Sequence, residues 1–235
     1  MNTAIIGTGK IATTFARALN HSTRGNLLAV ASRKQQNADV FAATHDVSRA
    51  YAGYEAMLRD PEVDAVYVST PHPMHAKWAI RCAEAGKHVL CEKPMTLNAY
   101  DTMATIEAAR RNDVFLMEAF MYRHAPRTIA FIERVNNGEF GKVRTANASF
   151  SSLHYNPEGD NWRNRKETGG GIVYDFTCYT VNILRGIMGR APERVVAAGE
   201  TCPVRDIIIT MHGLLDFGDG VACRIESSQK SNFRM

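Results

Sequence analysis

The sequence predicts an α/β fold: a doubly wound parallel sheet over residues 1–119, then an α+β part with an open, largely antiparallel sheet over 120–235. Three observations carry that prediction. Short, continuously apolar runs alternate with longer segments of helical period in the first half, which forces strands to lie parallel with helices on both faces. A glycine-rich turn joins the first such run to the first helical segment. After Ala119 the alternation gives way to long β-type runs separated by few helices.

Residues 2–6, 26–31, 64–69, 87–91 and 114–118 are predicted strands, each apolar without alternation, as suits strands covered on both sides. Residues 10–20, 35–44, 74–85 and 98–111 are predicted helices. Trp78, Cys82 and Ala85 fall on one helical stripe there, and Gly86 follows as a C-terminal stop. In the second half a helix is predicted over 127–136, a strand over 143–153 and a helix over 170–188, followed by strands over 194–200, 205–216 and 220–227. The closing Ser231-Asn232-Phe233-Arg234-Met235 begins as β-type sequence, so the second sheet is expected to be C-terminally shortened. An uncovered edge strand invites association.

The 235 residues carry 28 Lys and Arg against 24 Asp and Glu, with 22% charged and 45% hydrophobic residues, an ordinary composition for a globular protein. The cations are scattered among acids, which argues against nucleic acid as a partner. Five cysteines at Cys82, Cys91, Cys178, Cys202 and Cys223 never approach C-x-x-C spacing, so neither a disulfide framework nor a zinc site is expected. The sequence has no apolar run long enough to span a membrane, and it opens on Ala4-Ile5-Ile6 and glycine without a secretory pattern. A cytoplasmic protein without a membrane partner is expected.

Gly7-Thr8-Gly9-Lys10-Ile11-Ala12 is a G-x-G-x-x-A between a predicted strand and a predicted helix, the Rossmann context for a dinucleotide. The glycines let backbone N–H groups approach a pyrophosphate, and Ala12 keeps helix and strand close. Where an NAD site places an acid on the ribose, this chain has Ser32-Arg33-Lys34. A hydroxyl and two cations suit a 2′-phosphate, so NADP(H) is favoured over NAD(H); the other reading is a solvated loop. Two polar clusters are predicted at carboxyl ends of strands, Ser69-Thr70-Pro71-His72-Pro73-Met74-His75 and Leu90-Cys91-Glu92-Lys93-Pro94. Ligand crevices of open parallel sheets run along that edge. His72 and His75 lack a third neighbouring ligand, so no metal is expected. Lys93 is either a site residue or an exposed loop lysine. Gly169-Gly170-Gly171 signals close approach of backbone to a ligand or to another segment. On one helix, Asp175, Tyr179 and Asn182 would share a face, with Tyr179 either a core aromatic or a site phenol.

Together with Glu118-Ala119-Phe120-Met121-Tyr122-Arg123 and Trp162-Arg163, these motifs resemble the Gfo/Idh/MocA oxidoreductase family in order and spacing over nearly the whole chain. The tyrosine four residues after the aspartate resembles the branch containing glucose–fructose oxidoreductase, dimeric dihydrodiol dehydrogenase and NADP-dependent xylose dehydrogenases. The resemblance implies that Lys93 and Tyr179 form a catalytic pair and that Asp175 faces the substrate. It implies that Thr70, Pro71, His72, His75, Glu92, Trp162 and Arg163 touch the cofactor or frame its nicotinamide. Tyr122, Arg123 and His154 are expected substrate contacts. A small polyhydroxylated substrate is implied, as is a homo-oligomer formed through the C-terminal sheet. A catalytically silent NADP-binding sensor, or an inactive shortened member, is the competing expectation.

Overall fold

The computed structural model describes residues 1–231; the expected further strand beginning in 232–235 lies outside the described residues. The chain divides into two units, Met1–Ala119 and Phe120–Met235.

The first unit runs β1 (Asn2–Ile6), α1 (Lys10–Asn20), β2 (Asn26–Ser32), α2 (Gln35–His45), β3 (Arg49–Ala52), α3 (Tyr54–Leu58), β4 (Ala65–Val68), α4 (His75–Glu84), β5 (His88–Glu92), α5 (Ala99–Arg111) and β6 (Leu116–Ala119). Its six strands lie in the order β3-β2-β1-β4-β5-β6, all paired parallel. Successive side chains point to opposite faces. Ile6, Val66 and Val68 therefore enter one buried cluster with Trp78 and Cys82, while Ile5, Val30 and Tyr67 enter another with Ala12, Ala16 and Phe41. The strand order reverses between β1 and β4, which opens a crevice beyond their carboxyl ends.

The sequence reading omitted β3 and α3. The four residues Arg49-Ala50-Tyr51-Ala52 carry a cation on an edge strand, too short and polar to register as an apolar run. The helix expected from residue 74 starts at His75, after a 3₁₀ turn over His72–Met74. Gly86 takes φ +72° and Lys87 N–H bonds the Cys82 carbonyl, the Schellman closure expected of a glycine stop.

The second unit runs α6 (Pro126–Asn136), β7 (Thr145–Ser151), α7 (Cys178–Met188), β8 (Arg194–Thr201), β9 (Ile208–Asp216) and β10 (Ala222–Ser228). Its sheet order is β7-β10-β9-β8. Both β9 pairings are antiparallel and β7 joins β10 in parallel, so the sheet is mixed and largely antiparallel. Leu184 of α7 is buried against Leu215, Cys223 and Ile225 of the sheet. On the opposite face Val196 and Leu214, partners in the β8–β9 register, stay exposed. Among the described residues, no helix is long and apolar enough to cross a membrane.

Two expectations are corrected here. The helix placed over 170–188 begins with a π turn, Val173–Thr177, and becomes α-helical only at Cys178. The strand placed from 205 starts at Ile208, because Asp206 takes φ +47° and Cys202 N–H closes a tight loop on the Ile207 carbonyl.

Candidate functional site

In the first unit the candidate residues gather at the carboxyl ends of β1, β2, β4 and β5. Gly7 holds φ +101°, and a Cβ there would stand 3.0 Å from the Ser69 carbonyl oxygen. Only glycine serves at that position. Gly9 is different: its φ of −80° and ψ of 179° suit any residue, yet a Cβ would meet nothing within 4 Å. Neither backbone conformation nor a neighbour requires glycine there, so its bareness matches a ligand's close approach. Gly9 is also the N-cap of α1, whose first turn carries neither a side-chain cap nor an acid. Four N–H groups and the positive end of the helix dipole face outward at such a terminus, a ready anion site. Ala12 is fully buried and keeps α1 close on the sheet, Thr8 is half-buried, and Lys10 and Ile11 are exposed.

At the end of β2, Ser32 is buried, and Arg33 and Lys34 are exposed. Lys34 is the N-cap of α2, which again has no acid in its first turn. A helix terminus with two exposed cations complements a phosphate.

At the end of β4, Thr70 is buried and its Oγ1 has no hydrogen-bond partner among the described residues. Buried hydroxyls are seldom left so. Pro71 caps the turn that carries the buried His72, whose ring lies 5.6 Å from that of His75. His75 is 1% exposed, its Nδ1 2.8 Å from the Pro94 carbonyl oxygen and its Nε2 2.6 Å from that of Thr70. Burial holds its pKa below the ordinary histidine value and the Lys93 ammonium acts the same way, against the two carbonyls. In its neutral form the imidazole has a single N–H, which donates to one of the two carbonyls, and the ring packs between the turn after β4 and the turn after β5. Replacing it, His75→Ala, leaves one buried carbonyl without its donor and a cavity, and costs about 2–4 kcal/mol of stability, read as a lowered denaturant midpoint.

At the end of β5, the Glu92 carboxylate accepts a hydrogen bond from the Tyr67 hydroxyl at 2.5 Å and one from Lys93 N–H at 3.2 Å. Two residues on, Met95 N–H donates to Glu118 Oε1 at 2.8 Å. Lys93 therefore sits on a turn held from several sides. Cys91 is buried, and burial together with Glu118 and Glu92 pushes its thiol well up, so it is no nucleophile at neutral pH. Among the described residues, no group of three His, Cys, Asp or Glu side chains is placed to hold a metal ion.

In the second unit the candidates converge on the start of α7. The half-buried Tyr179 ring is edge-on to Phe120 at 5.2 Å and to Phe150 at 5.1 Å, with Tyr122 at 6.0 Å. Its hydroxyl points to Met121 Sδ at 3.6 Å. Tyr122 donates to Asn182 Oδ1 at 2.6 Å, which binds the Met121–His124 turn to α7. Asp175 is buried in the π turn, with Arg163 Nε 3.4 Å from its Oδ2. The Arg163 guanidinium lies over the Trp162 ring at 4.3 Å. Arg123 is exposed, as is His154, whose ring lies 5.2 Å from that of Phe176.

The glycine triplet is resolved in favour of another segment. Gly170 N–H bonds the Arg165 carbonyl and Gly171 N–H that of Arg163, each at 2.9 Å. A Cβ on Gly170 would stand 2.4 Å from the Arg163 oxygen, and one on Gly171 would stand 2.7 Å from the Ile208 oxygen. The glycines seat the Trp162–Asn164 turn and strand β9 against the entry to α7. The expected single-helix face of Asp175, Tyr179 and Asn182 is modified in turn: Asp175 belongs to the π turn, Tyr179 and Asn182 to α7. Inserted residues of this kind recur at functional sites. Sequence reasoning missed Tyr67, Met121 and the aromatic surround of Tyr179; a tyrosine inside the apolar run Ala65-Val66-Tyr67-Val68 was the one available signal.

The first unit is a Rossmann dinucleotide-binding fold, and the second supplies a polar and aromatic cluster on a mixed sheet. The chain belongs to the Gfo/Idh/MocA family. Residues 1–120 match its model described as an oxidoreductase family with an NAD-binding Rossmann fold, and residues 129–235 match the GFO/IDH/MocA C-terminal domain. Over 95% of this chain it is 37% identical to a D-xylose 1-dehydrogenase (NADP(+)) of Haloferax volcanii, covering 68% of that protein. Over 97% of this chain it is 35% identical to a trans-1,2-dihydrobenzene-1,2-diol dehydrogenase of Mus musculus, again covering 68% of it. The chain thus spans about two thirds of the length of these curated relatives. A solved 3-ketoreductase from Actinomadura kijaniata, in complex with NADP and TDP-benzene, superimposes with a TM-score of 0.89 at 30% identity, over 99% of this chain and 71% of that one.

Proposed function

We propose that this chain belongs to an NADP-dependent oxidoreductase that moves a hydride between nicotinamide and a carbinol or carbonyl carbon of a small sugar-like or diol substrate. The observation that carries the reading is Gly9, bare without conformational need at the uncapped N-terminus of α1. Gly7, Thr8, Gly9, Lys10, Ile11 and Ala12 would cradle the pyrophosphate. Ser32, Arg33 and Lys34 would hold the 2′-phosphate, and Thr70, Pro71, His72, Glu92, Trp162 and Arg163 would frame the nicotinamide half. His75 supports that frame from behind.

When bound, the nicotinamide accepts or donates the hydride. The chain itself must handle the proton. As the C–H bond of a carbinol breaks, its O–H proton passes to the Tyr179 phenolate; in the reverse direction the Tyr179 phenol returns it. An unperturbed phenol near pH 7 is a reluctant base, and a neighbouring ammonium favours the phenolate. Lys93 supplies that charge and holds the reacting oxygen. Asp175, oriented by Arg163, accepts from an adjacent substrate hydroxyl, and Tyr122, Arg123 and His154 offer further contacts to a hydroxyl-rich ring. The enzyme is expected to be cytoplasmic and to self-associate through the open sheet face that exposes Val196 and Leu214.

Titration with NADPH, followed by NADP⁺ with a panel of aldoses and diols, tests the reading. Binding with turnover of at least one polyol is the expected result. Binding without turnover would make the chain a nucleotide sensor, and absence of binding would remove the dinucleotide assignment. The double variant Arg33→Ala, Lys34→Ala should lower the ratio of NADPH to NADH affinity by about tenfold or more, measured by the same titration. An unchanged ratio would place the 2′-phosphate elsewhere.

A further inference from the structure

Strand β4 contains one side chain that packing alone does not explain. Alternation sends Val66 and Val68 to one core and Tyr67 to the other, where its ring is 2% exposed and stacks on Phe15 of α1 at 4.0 Å and 23°. A phenylalanine would fill that space without bringing a polar group into a dry core, which is unfavourable unless the group is bonded. The hydroxyl finds its partner in Glu92 Oε1. The β4–β5 register pairs Tyr67 with Leu90, so Glu92 lies two residues further along the same face, a diagonal neighbour within reach of a long aromatic side chain. The second oxygen of that carboxylate receives the N–H of Lys93.

We propose that Tyr67 is a positioning residue: its hydroxyl fixes the Glu92 carboxylate, and through it the turn that carries Lys93, in the orientation that receives the nicotinamide end of the dinucleotide. The assignment rests on the dinucleotide reading given above. It adds that the strand next to β1 reaches the chemistry from inside the core, through a buried phenol. Phe15, on the helix whose N-terminus would bind the pyrophosphate, stacks on a face of that phenol's ring.

The test is Tyr67→Phe, which keeps the stack on Phe15 and removes one oxygen. Two probes are titrated: NADPH, and adenosine 2′,5′-bisphosphate, which carries the adenosine phosphates but no nicotinamide. Affinity for NADPH should fall by about tenfold, the size of one hydrogen bond to a charged group, while that for the bisphosphate stays within about twofold. In a Glu92→Ala background, adding Tyr67→Phe should weaken NADPH no further, because the hydroxyl has lost the group it acts through. Equal weakening of both probes would reduce Tyr67 to packing under α1, and additive losses would disconnect it from Glu92; either result overturns the proposal. A wild-type chain that binds the bisphosphate but shows no difference from Tyr67→Phe with NADPH also overturns it, and leaves the dinucleotide reading standing. A wild-type chain that binds neither probe brings both down.

Discussion

Tyr179→Phe should lower turnover by about two to four orders of magnitude, the range for removing a positioned acid or base, and leave NADPH affinity within about twofold. The substitution is close to surgical. The ring remains flanked by Phe120, Phe150 and Tyr122, and the contacts the hydroxyl gives up include a 3.6 Å approach to the thioether of Met121, a weak acceptor. Stability should change by about 1 kcal/mol for each hydrogen bond removed, and the melt separates a loss of rate from a loss of fold. Steady-state kinetics with the best polyol of the panel, fluorescence titration with NADPH and a thermal melt together check the three parts. Turnover equal to wild type would take Tyr179 out of the reaction and with it the pairing to Lys93.

The second large effect falls on nucleotide binding. Gly9→Val places a branched side chain where a Cβ meets nothing within 4 Å, in an extended backbone that valine adopts without strain. Replacing a glycine N-cap with an aliphatic residue costs about 1 kcal/mol or less, so the melting temperature should fall by a few degrees at most. NADPH affinity, by contrast, should fall by roughly a hundredfold or more, since the branched group stands in the path of the phosphates toward the α1 N–H groups. Retained affinity would mean that the bareness of Gly9 serves something other than a dinucleotide. The contrast with Gly7 is instructive: there φ is +101° and Ser69 is in contact, so any substitution would damage the fold first and say nothing about a ligand.

The first unit was legible because its signals are local. Helix α1 follows directly from the glycine turn and a strong apolar stripe, and β1 from an unbroken apolar run, so both were placed at their observed limits. Strand β3 was not, since its four residues at the sheet edge include Arg49, and its identity as a strand comes from pairing with β2. In the second unit the parallel docking of β7 on β10 joins residues more than seventy positions apart, and no local pattern encodes it. The π turn escaped for a related reason: one inserted residue leaves the apolar spacing of a helix nearly intact while moving Asp175 off the α-helical ladder. Site residues followed the same rule. The glycine turn after β1 and the Ser32-Arg33-Lys34 cluster after β2 could be located from residue type and spacing, whereas Tyr67 beside Glu92 required the strand register, and Met121 beside Tyr179 required the packing of a turn on a helix.

The seating of the Trp162–Asn164 turn on Gly170 separates the loop's path from its side chains. Its tryptophan and arginine owe their location to main-chain carbonyls pressed against positions that admit not even a methyl group. A substitution at Trp162 or Arg163 should therefore change what the loop displays and leave its path alone, whereas any side chain at Gly170 would displace the loop itself.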